Sequence, residues 1–166
     1  MKDKPEASSA DYDMLVNSKA YFLYNATISS RFRSNANFFT WIDAGYGHGN
    51  RDLIPLHCHW KPNFLSGLIT VIKLTPQHDK VSRYSINHIY RVDWTIISGG
   101  FLGGDIQTIN RFYRFFHKTF IDLLDARKVD DDQTTLTLTI KHYGNLFNLV
   151  HSSGDWFALF RLFPCS

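Results

Sequence analysis

The residues best able to do chemistry are carboxylates set at the ends of apolar runs, with glycine pairs between them. Asp43 closes the run Phe38–Ile42, which reads as a buried strand of aromatic and β-branched residues. A carboxylate there is a hard-oxygen ligand for a divalent cation, or a cap on the turn that Ala44-Gly45 opens. Asp130, Asp131 and Asp132 stand in a row before Gln133 and a threonine-rich helical stretch. As a group they favour the positive end of a helix. Three adjacent carboxylates also repel, so a buried member needs a cation or a raised pKa, and Asp132 is the acid–base candidate. Between these acids lies WTIISGGFLGGD, residues 94–105. Trp94–Ile97 reads as a strand, Gly99, Gly100, Gly103 and Gly104 as a turn, and Asp105 as the cap of a long helix. Such a turn can bring main-chain N–H groups to an anion, or it can be only a tight reversal. Its glycine order fits neither the dinucleotide nor the P-loop pattern.

Other candidates are weaker. His57-Cys58-His59 places adjacent side chains on opposite faces of an extended chain and has no spaced partner, so no zinc site is expected. Cys58 and Cys165 could pair only if the fold joins them, and two free, buried thiols are the expectation. Trp94 and Trp156 can stack on a sugar or base, or simply fill core.

The elements that must position these groups follow from periodicity. Residues 1–11 are polar and expected to fray. A helix is predicted from Tyr12 to about Arg33, strands at Phe38–Ile42 and Leu68–Leu74, and a short strand near Ile86–Tyr90. A helix of about 21 residues (~31 Å) should run from Asp105. Thr134–His142 forms a helix that only packing could hold, because threonine is a poor helix former. A last strand covers Leu146–His151, and Trp156–Phe163 is an apolar tail that must dock. Strands alternating with helices imply an α/β sheet under helical cover. The chain's 166 residues suit a single domain, from residue 12 to 166. A net charge of +3 without a basic cluster gives no support for nucleic-acid binding. No apolar run is long enough to span a bilayer, and Met1 is followed by polar residues, so neither a membrane span nor an export signal is expected.

Taken together, FFTWIDAGYG (38–47), DWTIISGGFLGG (93–104) and DDDQTTL (130–136), with Trp156-Phe157 trailing, resemble the HtrL/YibB family, a group related to glycosyltransferases of the GT-A type. The resemblance implies a Rossmann-like, three-layer α/β fold. It also implies a nucleotide-sugar donor, an acceptor of unspecified kind, and a divalent metal (Mn or Mg). Asp43 matches the first acid of the usual Asp-x-Asp pair, while Gly45 stands in the second place. His151, at a late strand end, corresponds to a third metal ligand. Gly99, Gly100, Gly103 and Gly104 correspond to the turn that cradles sugar or acceptor. Asp132 and Gln133 correspond to the acidic position beside the donor sugar. The unit that binds base and ribose in such folds has no counterpart before Tyr12. The resemblance therefore also implies a domain shortened at its N-terminus, either an enzyme or an inactive remnant serving as an interaction or sugar-binding module.

Overall fold

The computed structural model describes residues 8–29, 36–55, 58–92 and 94–165. Its centre is a four-stranded mixed sheet in the order β1-β3-β2-β4, with β1 Phe38–Ile42, β2 Ile69–Lys73, β3 Phe101–Asp105 and β4 Phe147–His151. β3 runs antiparallel to both neighbours, whereas β2 and β4 are parallel.

Alternation along the strands divides the interior in two. Ile69 and Val71 of β2 and Leu102 of β3 face a large cluster with Ile109, Phe112 and Phe116 of one helix and Leu136 and Ile140 of another. Ile72 and Phe101 face the opposite way, into an aromatic cluster with Tyr46, Phe64 and Leu159. The first side is covered by helices α2 (Lys19–Ile28), α4 (Ile106–Asp125) and α5 (Asp132–Tyr143). The second is covered by the loop after β1 and by the C-terminal segment with its short helix α6 (Leu159–Leu162). The fold is thus mixed α/β, with one layer built mainly of loop.

Several elements differ from expectation. The glycine-rich stretch is a turn only in its first half, at Gly99-Gly100; Phe101–Asp105, with Gly103 and Gly104, forms β3, and Gly103 pairs with both Thr40 and Thr70. Glycine usually weakens a strand, but here it permits close packing. A Cβ on Gly104 would come within 2.7 Å of Ile69 Cδ1, and one on Gly103 within 3.1 Å of the Phe101 ring. None of the four glycines has a positive φ. The predicted strand Trp94–Ile97 makes a single bridge, Ile97 with Lys73, and Trp94 is exposed; Asp93 lies outside the described residues.

The first helix breaks at Ser18 into α1 (Ala10–Asn17) and α2, and α1 begins inside the segment expected to fray. Its predicted end at Arg33 lies outside the described residues. Ile86–Ile89 is one turn of helix (α3), not a strand. Cys58 and Cys165 form a disulfide, with Cα atoms 5.9 Å apart, where free thiols were expected. The tail that follows β4 folds back onto the loop after β1, and so brings the two cysteines together. Trp60 Nε1 donates to the Phe163 carbonyl at 2.8 Å, and the Leu159 N–H donates to the Tyr46 hydroxyl at 2.9 Å.

The two long helices form as predicted. Asp105 caps α4 by accepting from the Thr108 N–H at 2.8 Å, and its other oxygen accepts from the Gly67 N–H at 2.6 Å. Thr135, Thr137 and Thr139 of α5 are almost fully buried. Their hydroxyls can bond within the helix, as Thr139 does to the Thr135 carbonyl at 2.8 Å, so tertiary burial overrides poor propensity.

Candidate functional site: a lysine shared by two carboxylates

The site lies where the end of β1, the start of β3 and the N-termini of α2 and α5 meet. Asn17 sets this junction. Its side-chain amide donates to the carbonyls of Asp13 (2.8 Å) and Asp130 (2.9 Å), and its oxygen accepts from the Thr135 hydroxyl at 2.6 Å. The end of α1 is thereby pinned to the start of α5. Ser18 then breaks the helix, and Lys19 begins α2 with its ammonium directed inward. Lys19 Nζ donates to Asp132 Oδ2 at 3.0 Å, to Asp43 Oδ2 at 3.1 Å and to the Gly99 carbonyl at 3.4 Å. The second Asp43 oxygen accepts from Trp41 Nε1 at 2.6 Å, and the Asp43 N–H donates to the Gly100 carbonyl at 3.1 Å.

The two acids are unequal. The Asp43 side chain is 35% exposed and lines a cleft, while that of Asp132 is 9% exposed and lies behind Lys19. Burial pushes the Asp132 carboxyl up to about 7, helped by the charges of Asp131 and Asp43 and opposed by Lys19. Burial would lower the Lys19 ammonium, but Asp132 and Asp43 outweigh it and hold it above the ordinary lysine value. At neutral pH Lys19 therefore stays charged while Asp132 sits near its midpoint.

The cleft encloses ≈ 550 Å³. Its floor carries Lys19, Asp43, Ser98, Gly100 and Gln133, and its rim Tyr12, Leu15, Phe22, Trp41, Trp156 and Phe157. Of the residues expected to bind substrate, Gly100 and Trp156 line this cleft. Gly103 and Gly104 are in β3, and Trp94 borders a separate small cavity of ≈ 20 Å³. Gly99 serves the site differently: a Cβ there would fall 2.5 Å from Asp132 Oδ2, so its lack of a side chain admits the carboxylate. Gln133 lines the cleft, and Asp132 itself does not.

The proposed metal ligands do not converge. Asp43 and His151 each lie three residues beyond the row Thr40–Gly103–Thr70–Asn148, but on opposite edge strands. Three strand spacings separate them, ~14 Å, too far to share one ion. Both Asp43 oxygens already accept hydrogen bonds, and the cation at this site is Lys19. Among the described residues no three His, Cys, Asp or Glu side chains gather as a metal centre, and His57 lies outside them. No described helix is long and apolar enough to cross a membrane.

Lys19 is the residue of this candidate site that sequence reasoning missed. A lone lysine on an amphipathic helix reads as solvated, and only the break at Ser18, signalled weakly by Asn17-Ser18, turns it inward.

No curated protein and no solved structure matches the chain. The family of bacterial proteins of unknown function designated HtrL_YibB matches residues 1–165. On that match over essentially its whole length, the chain belongs to the HtrL/YibB family.

Proposed function

We propose that this cleft transfers a sugar from a nucleotide-sugar donor to an acceptor hydroxyl, on a GT-A-like scaffold. The observation that carries this reading is the Lys19 ammonium held at the cleft floor between Asp43 and Asp132. Glycosyl transfer needs positive charge to meet a departing diphosphate and a carboxylate to take the acceptor proton. Lys19 supplies the first, and Asp43, the carboxylate that lines the cleft, supplies the second.

In the step, the acceptor oxygen bonds to the anomeric carbon as that carbon's bond to the diphosphate oxygen breaks. The hydroxyl proton passes to Asp43, and the negative charge leaves with the nucleoside diphosphate facing Lys19. Asp132 acts through Lys19 as a positioning residue, with Gly99 making room for it. Gln133, next in the chain, offers an amide to a sugar hydroxyl.

The second reading is an inactive sugar-binding or interaction module. Its support is that Lys19 and Trp41 already occupy both Asp43 oxygens.

Release of nucleoside diphosphate from a panel of nucleotide-sugars, with and without Mn²⁺ or Mg²⁺, separates the two readings. Turnover by the wild type that falls by about 10²-fold or more in Asp43→Asn, within the range for loss of a general base, is expected. No release from any donor by the folded protein, at any acceptor tried, would defeat the transferase reading.

A further inference from the structure

The rim of the cleft differs in character from its floor. Phe22 is 44% exposed, Trp156 41% and Leu15 62%, so this edge keeps large apolar side chains in water. The rings are not loose. Trp41 is anchored to Asp43 through its indole N–H and stacks on Phe22, with centroids 6.2 Å apart and planes 16° apart. Phe157, which lines the same cleft, is held edge-on by both Tyr46 (5.5 Å) and His48 (5.1 Å). Two braced aromatic groups therefore line the same cleft as the polar side chains of Lys19, Asp43, Ser98 and Gln133. A ligand binding there gains from rings whose ordering has already been met by folding.

Charge narrows the ligand class. Among the described lining residues Lys19 is the sole lysine or arginine, and two carboxylates already share it. A second anionic group entering with the acceptor would meet Asp43 with no further lysine or arginine among the described lining residues to pair with. A pyranose suits these rings instead: its C–H face is attracted to the negative face of an aromatic ring, and its hydroxyl edge can reach Asp43, Ser98 and Gln133. The volume is in the range of pockets that hold small organic ligands.

We infer that the aromatic rim is the acceptor subsite, and that it takes an uncharged glycoside and discriminates against uronic or sialic acids. The word acceptor rests on the transferase reading, whereas the preference for neutral rings does not.

The test is titration of the full chain with methyl glucoside, methyl galactoside and their disaccharides against glucuronate and sialic acid, by calorimetry or ligand-observed NMR. A neutral glycoside should saturate with Kd in the range of about 1–10 mM, and the anionic sugars should bind roughly tenfold more weakly or not at all. Trp156→Ala should weaken neutral binding about 2- to 10-fold, and Trp156→Phe should restore part of it. Trp94→Ala, outside the cleft, should leave it unchanged, with circular dichroism confirming that each variant folds. Failure of every neutral glycoside to saturate below ~100 mM overturns the inference. So does equal or tighter binding of a uronate, or indifference to Trp156→Ala. Donor cleavage without neutral-sugar binding would overturn this inference and leave the transferase reading standing. Neutral-sugar binding without cleavage of any donor would do the reverse.

Discussion

Replacing Asp132 with asparagine should change how stability depends on pH. In the folded chain the Asp132 carboxyl titrates at about 7, because burial outweighs the help of Lys19. In the unfolded chain it titrates at the ordinary aspartate value of ~3.9. Between these two values the folded state holds a proton that the unfolded state has released. The resulting stabilisation is complete below pH ~4 and is lost as pH rises through ~7, the reverse of an ordinary salt-bridged aspartate. A gap of about three pKa units corresponds to on the order of 4 kcal/mol, of which about 3 kcal/mol falls between pH 5 and pH 8.

The amide of the Asp132→Asn variant has nothing to titrate, so the wild type should lose about that much relative to the variant across this interval. In urea unfolding at constant ionic strength, the separation of midpoints should change by about 1.5 M, taking a slope of ~2 kcal/mol per M. Taking the difference between two proteins cancels the histidines, which titrate in the same window. If the separation is flat from pH 5 to pH 8, or if the wild type gains on the variant as pH rises, then Asp132 is ionised throughout. Burial would then not raise the Asp132 carboxyl, and Lys19 would face two full negative charges at neutral pH.

Gly99→Ala should push Asp132 Oδ2 from its place, since the new methyl would lie 2.5 Å from it. A loss of ~1–3 kcal/mol is expected from calorimetric Tm, and an unchanged Tm would show that the carboxylate needs no such opening. Cys58→Ser opens a disulfide that spans 107 residues of sequence, worth up to ~5 kcal/mol by chain entropy. The wild-type Tm should fall in dithiothreitol and that of the variant should not; a wild type indifferent to reductant would speak against the pairing. Asp105→Ala removes both the cap of α4 and the acceptor of the Gly67 N–H, for about 1–2 kcal/mol in urea unfolding, while Asp105→Asn should retain much of it. A loss below ~0.3 kcal/mol in Asp105→Ala would mean that solvent replaces the cap.

Local signals carried much of the fold into the sequence. Phe38–Ile42 and Ile69–Lys73 are strands because β-branched and aromatic residues cluster there, and α4 is a helix because its apolar residues recur every three or four positions. The motifs shared with the HtrL/YibB family were legible for the same reason, since they are contiguous. The glycine stretch misled because glycine's freedom to turn is a local property. Its use in β3, to let Ile69 and Phe64 pack against bare backbone, depends on neighbours more than thirty residues away.

The site divides in the same way. Sequence alone marked Asp43 and Asp132: the first ends a buried apolar run, where a carboxylate is unusual, and the second opens a helix, where a carboxylate is favoured. Tertiary structure decided that they share a cation, that Lys19 supplies it, that His151 is at the far edge of the sheet, and that Cys58 meets Cys165. Each of these is a relation between segments remote in sequence, created when helices and a mixed sheet pack to bury their apolar faces. No periodicity within a single segment encodes such a relation.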